Sequence, residues 1–185
     1  MIQPSSAEES FRFAGYASLF NVTDLSGDRV LMGAFHRSLQ ARGAAGIRML
    51  WNHDPAEPIG VWTAIHEDAK GLRVEGRLTP DLDRADGLAA LLRDGAVDGL
   101  SIGFHTIRAD RSKPFKAVNG HISTGKGRRL IEIDLWEISL VAFPMQPGAR
   151  VDRVMPATAM PPPPCPRPTS SPSKPKGFSH DQICH

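Results

Sequence analysis

The 185-residue sequence predicts a β-rich α+β domain: a mostly antiparallel sheet or closed barrel that carries helices on its outside. Three observations lead there. Six segments alternate apolar with polar residues, two segments repeat apolar residues at helical spacing, and the connections between strands are too short for repeated βαβ crossovers.

In chain order, Phe11, Phe13, Gly15, Ala17 and Leu19 share one face of the first strand. Phe35 and Leu39, four apart, mark a helix that begins near Gly33 and stops at Gly43. Ile47, Met49 and Trp51 align on a second strand, and residues 59–66 form a third. Leu72, Val74, Gly76 and Leu78 alternate with Arg73, Glu75, Arg77 and Thr79 in a fourth. Ala85, Leu88, Ala89 and Leu92 then follow the i, i+3, i+4, i+7 pattern of a helix that stops at Gly95. Strands over 100–107 and 130–143 complete the set. Between them, residues 113–129 are polar, carry Asn119-Gly120 and Gly125-Lys126-Gly127, and read as a long mobile loop or hairpin.

Nine of the 16 prolines fall within the last 30 residues, where helix and central strand are both disfavoured. The chain therefore divides into an N-terminal extension (1–10), a folded domain (11–150) and a Pro-rich disordered tail (151–185). Beyond residue 155 lie Arg167, Lys174 and Lys176 against Asp181, so residues 1–155 keep 19 basic and 19 acidic groups of the chain's 22 and 20. A neutral body lacks the basic stripe that counterion release requires, which argues against direct nucleic-acid binding. Both cysteines, Cys165 and Cys184, lie in the tail, so the fold depends on no disulfide. The first ten residues have neither a basic n-region nor an apolar h-region, and no stretch approaches a membrane span. The expectation is a soluble intracellular protein with no membrane partner.

Three segments carry potential chemistry. In Trp51-Asn52-His53-Asp54-Pro55, strand parity brings His53 off an apolar face at a strand end, just before a turn-forming Asp-Pro. The competing reading is a half-buried histidine satisfied by a carbonyl. In Asp98-Gly99-Leu100-Ser101-Ile102-Gly103-Phe104, Ser101 and Gly103 face away from Leu100, Ile102 and Phe104, and the glycines allow a substrate to approach the hydroxyl. The spacing is not that of a Gly-x-Ser-x-Gly elbow, and many such serines are plain strand residues. In the run from Leu130 to Pro144, Glu137 and Ser139 share parity with Ile131, Ile133, Leu135, Val141 and Phe143. Glu137 would then interrupt an apolar face unless a bulge shifts the register, and a buried carboxylate needs a partner such as an imidazolium or an arginine. His36, His66, His105 and His121 show no metal-ligand spacing, and no Gly-rich loop opens a nucleotide site.

Phe13-Ala14-Gly15-Tyr16-Ala17, Gly33-Ala34-Phe35, Leu50-Trp51-Asn52-His53-Asp54 with Pro58-Ile59-Gly60, Gly71-Leu72, Asp94-Gly95, the run from Gly99 to Phe104, and Glu137-Ile138-Ser139-Leu140-Val141 with Pro144 follow one another in a fixed order. In that order and combination they resemble the HK97-type phage prohead protease family, over about residues 11–150. Residues 46–60 and 130–151 look most like the prohead proteases of gene transfer agents. The resemblance implies an assemblin-like closed β-barrel of about six to seven mostly antiparallel strands with surrounding helices. It implies a serine endopeptidase with Ser101 as nucleophile, His53 as base and Glu137 as the acidic member, needing no cofactor and no metal. Its oxyanion hole would come from backbone N–H groups, with Arg128 and Arg129 as candidate contributors. The implied partners are the major capsid protein with its scaffold segment, and a second copy of the chain, as a dimer or confined in the shell. The implied place of action is the assembling prohead in a bacterial cytoplasm, where the protease would also cut itself. The alternative is a catalytically inactive capsid-assembly protein on the same fold.

Overall fold

The computed structural model describes residues 11–111 and 127–155. The elements run β1 (Arg12–Leu19), β2 (Arg29–Val30), α1 (His36–Arg42), a 3-10 turn (Ala44–Gly46), β3 (Arg48–Trp51), β4 (Asp54–Glu67), β5 (Gly71–Leu78), α2 (Asp83–Arg93), β6 (Gly99–Arg111), β7 (Arg128–Val141) and β8 (Val151–Met155). All six predicted strands and both helices are present. The helix α1 starts at His36, so Phe35 precedes it, and α2 gives way to Gly95 in the left-handed region, φ 70°, as its sequence stop suggested. The two remaining strands escape a pattern argument. With two residues β2 has no alternation to read, and β8 falls in the segment taken as tail.

The closed, mostly antiparallel barrel requires correction: the sheet is mixed and open. Its order is β2-β7-β3-β4-β5-β1-β8, with β6 pairing β7 on the opposite edge. Both β2 and β3 run parallel to β7, whereas β3–β4, β4–β5, β5–β1, β1–β8 and β6–β7 are antiparallel. Closure would need a ladder between β6 and β8. Among the described residues that seam holds only an isolated Gly99–Arg150 bridge, with Leu100 N–H donating to Ala149 O at 2.9 Å and Val151 N–H to Asp98 O at 2.8 Å. Past this point β8 follows β1, from Arg12 to Gly15, while β6 follows β7.

The boundary at residue 150 also moves, because Val151–Met155 are an ordered strand on the edge of β1. The rest of the tail, residues 1–10 and most of the polar stretch 113–129 lie outside the described residues; of that stretch, Arg128 and Arg129 open β7.

The core forms where the alternating faces converge. Phe13, Phe35, Met49, Ile59, Leu72, Val74, Leu100, Ile133, Leu135, Ile138 and Leu140 are almost wholly buried, and Phe13 meets Trp62 edge-on at 5.6 Å between ring centroids. Ala85, Leu88, Ala89 and Leu92 bury the predicted stripe of α2 against this core. Among the described residues no helix is long and apolar enough to cross a membrane.

Candidate active site

The β3–β4 hairpin positions His53. Trp51 pairs with Asp54, so Asn52 and His53 are the two central residues of the turn, with φ 50° and 62°. Two consecutive left-handed residues give the primed turn whose twist suits a hairpin, and neither position here is glycine. The sequence had placed His53 on the strand, ahead of an Asp-Pro turn; instead the Asn-His pair is the turn and Asp54 begins β4. The strand β3 is anchored along β7, with Leu50 opposite Ser139 and Trp51 opposite Leu140, and Asn52 N–H donates to Leu140 O at 3.0 Å. The imidazole is thereby carried over β7, with 43% of the side chain exposed.

A bulge positions Glu137. In the β6–β7 ladder Gly103 faces Glu137 and Phe104 faces Leu135, which leaves Trp136 as an extra residue in β7. Before it, Ile133 and Leu135 point into the core; after it, Ile138 and Leu140 do. The slip frees Glu137 and Ser139 from the apolar face on which simple alternation would have put them. Ser38 on α1 stabilises the bulge, its Oγ accepting from Leu135 N–H at 2.8 Å and donating to Leu135 O at 3.4 Å.

Ser101 lies on β6 directly opposite Ser139, and Gly103 directly opposite Glu137. Opposed residues of antiparallel strands project to the same face, so Ser101, Ser139 and Glu137 share a surface. Ser101 is 6% exposed. Beside it lies a cavity of about 50 Å³, lined mainly by apolar groups such as Ala17, Val30, Ile102 and Leu130, with Asp28 and Gln146 among the polar ones.

Three of these residues converge: His53, Glu137 and Ser139. His53 Nδ1 lies 2.6 Å from Glu137 Oε1, Ser139 Oγ donates to Glu137 Oε2 at 2.6 Å, and His53 N–H donates to Ser139 Oγ at 3.2 Å. Among the described residues no hydrogen bond joins Ser101 Oγ to the His53 ring. The Glu137 hydrogen bond pushes the imidazole above its ordinary pKa, against the opposing effect of partial burial.

Two features went unread in the sequence. By alternation Ser139 reads as a strand residue, and its spacing of two from Glu137 is the signal that sets it apart. Gly103 makes room for the Glu137 carboxylate, since a Cβ there would overlap Glu137 Oε1. The candidate oxyanion cations are otherwise engaged. Arg128 donates to Asp28 through its guanidinium, at 2.5 Å and 3.0 Å, and to Thr106 at 3.3 Å, and Arg129 lies 4.0 Å from Asp110. Among the described residues no group of three or more His, Cys, Asp or Glu is arranged to hold a metal ion.

The family model described as caudovirus prohead serine protease matches residues 2–161. The prohead protease of Enterobacteria phage HK97 is 39% identical over 140 residues, covering 75% of this chain and 58% of that protein. A capsid polyprotein of Pseudomonas phage PAJU2 is 32% identical over 114 residues, which cover 58% of this chain and 16% of that one. The chain therefore spans a little over half the length of the first relative and about a sixth of the second. Among solved structures, the KSHV protease bound to a hexapeptide phosphonate inhibitor aligns at TM-score 0.46 and 12% identity, over 77% of this chain and 64% of that one. The varicella-zoster virus protease aligns at 0.45 and 15%, over 77% and 63%. The bacteriophage T4 capsid assembly protease aligns at 0.46 and 15%, over 70% and 80%.

Proposed function

The chain belongs to the caudovirus prohead serine protease family, and from that premise we propose that it is a serine endopeptidase acting through Ser101, His53 and Glu137. Its substrates are the major capsid protein with its scaffold segment, and its own chain, during maturation of a phage or phage-like particle. It acts inside the assembling prohead. The observation that carries this reading is the 2.6 Å approach of His53 Nδ1 to Glu137 Oε1 on the face that also presents Ser101.

The chemistry follows from proton placement. A carboxylate accepts only, so Glu137 fixes the proton on Nδ1 and leaves Nε2 of the neutral ring as an acceptor. A serine hydroxyl is weakly nucleophilic at neutral pH, so Nε2 takes the Ser101 proton as Oγ attacks the peptide carbonyl. The imidazolium formed is stabilised by Glu137 and returns its proton to the leaving amine. Water then repeats the sequence to release the acyl group. Rotation of Ser101 or His53 into hydrogen-bonding range on substrate binding completes the arrangement, as apo geometries are often looser than reacting ones. The small cavity beside Ser101 suits a substrate side chain of a few carbon atoms.

The test is coexpression of the full chain with its cognate capsid protein. Wild type is expected to convert the precursor to a shorter product, and Ser101→Ala to leave it whole. Identical uncleaved precursor from both would instead support an inactive assembly protein on this fold.

A further inference from the structure

Ser139 is 0% exposed, yet it belongs to the face of β7 that turns away from Ile138 and Leu140. A serine on such a face can remain hydrated or bond within its own strand. This one bonds within its strand and also beyond it, because its hydroxyl is shared between a carboxylate two residues away on β7 and a backbone amide 86 residues away on the β3–β4 turn. It donates to Glu137 Oε2 and accepts from the backbone N–H of His53.

The directions of these bonds are fixed. The His53 amide only donates, so Ser139 Oγ must accept there and its single proton must go to Glu137. Glu137 then accepts a hydrogen bond at each oxygen, from Ser139 at Oε2 and from His53 Nδ1–H at Oε1. The result is a closed ring running from the His53 amide through Ser139 and Glu137 back to the His53 imidazole. One side of it holds the backbone of a non-glycine residue at φ 62°, a conformation such residues seldom adopt without support. The other side holds the carboxylate rotamer, while Gly103 leaves the space in which that carboxylate lies.

We propose that Ser139 is a positioning residue of the proteolytic site, whose hydroxyl orients Glu137 and pins the His53 turn so that the imidazole carries its proton on Nδ1 and keeps Nε2 free for Ser101. The proposal rests on the triad reading above and extends it to a fourth side chain. Ser139 does not itself touch the substrate; it acts through His53.

The test uses full-length wild type, Ser139→Ala and Ser139→Cys, the cysteine filling the same space with a weak donor. The proteins carry ¹⁵N-labelled histidine, with the His53 resonances assigned by their loss in His53→Gln. Two quantities are measured above the ring's titration: the tautomer from the ring ¹⁵N shifts, and the rate at which a fluorophosphonate probe labels Ser101. Wild type is expected to show the Nδ1–H form. At least one variant with wild-type circular dichroism is expected to show mixed tautomers and labelling slowed by about tenfold or more. An unchanged tautomer or an unchanged rate in the folded variants overturns the proposal, as does loss of the fold in both, which would assign Ser139 to structure alone. Failure of the triad reading has a different signature. Probe attached elsewhere than Ser101, located by peptide mass spectrometry, rejects the protease assignment while the tautomer result still reports whether Ser139 orients His53.

Discussion

At the scale of single residues, the His53–Glu137 pair ties the proposed chemistry to stability. The folded chain holds the imidazole above its ordinary pKa of 6.5, because the Glu137 hydrogen bond outweighs partial burial. Native protein therefore keeps its proton at pH values where the unfolded chain has released it, and stability falls with rising pH over that interval. The contribution is fully present below about pH 6.5 and is lost as pH rises through the folded midpoint. With the ring 43% exposed, solvent screening keeps the effect small. In urea titrations, the advantage of wild type over Glu137→Gln is expected to shrink from about pH 6 to about pH 8. A constant difference across that range would show that the pair does not titrate in this way. Activity should move oppositely, since the base is the neutral ring: the acid limb of the rate profile should lie above that of an ordinary histidine.

At the scale of elements, the decisive feature is the bulge at Trp136. The run from Ile131 to Val141 contains two alternations out of phase: Ile133 and Leu135 in one, Ile138 and Leu140 in the other. Read as one strand, it forced Glu137 toward the core. Read as two, it frees the carboxylate, and the slip between Leu135 and Ile138 is visible in the residues themselves. What the sequence could not supply was the partner of the freed backbone. Ser38 comes from 97 residues away and satisfies both the N–H and the C=O of Leu135. The same limit hid the parallel pairing of β2 and β3 with β7, since local alternation identifies a strand but carries no information about its neighbour. It located Ser101 and His53 on candidate segments, yet not the turn conformation that aims the histidine. Ser38→Ala leaves two buried peptide groups without their side-chain partner, and the expected loss is about 1–3 kcal/mol in chemical denaturation. A loss of the proposed capsid cleavage larger than that destabilisation explains would identify the bulge as part of the site's alignment. An unchanged denaturation midpoint would show that water or backbone relaxation replaces the hydroxyl.

At the scale of the whole molecule, the open seam of the sheet falls beside the proposed nucleophile. The segment from Ala149 to Val151 joins β1 to the start of β6: Tyr16 N–H donates to Arg150 O at 3.0 Å, Leu100 N–H to Ala149 O at 2.9 Å, and Val151 N–H to Asp98 O at 2.8 Å. Arg150 also forms an ion pair with Asp98, and Gly15 permits the approach, since a Cβ there would overlap the Arg150 carbonyl. The strand β8 then continues along Arg12–Gly15. Because this seam is made by so few bonds, and because Ser101 follows Leu100 directly, the end of the ordered sheet helps to hold the strand that bears the serine. Two shortened chains separate this role from that of the Pro-rich residues beyond it. A chain ending at Met155 keeps every one of these contacts, and its unfolding free energy in urea is expected to match the full chain's within about 0.5 kcal/mol. A chain ending at Arg150 loses the Val151 bond and the ladder to β1, and at about 1 kcal/mol for each hydrogen bond it is expected to lose about 2 kcal/mol or more. Its labelling by a serine-directed probe should fall further than that of the Met155 chain. Equal midpoints for the two would mean that β8 contributes nothing to the sheet, and would return the domain boundary to residue 150.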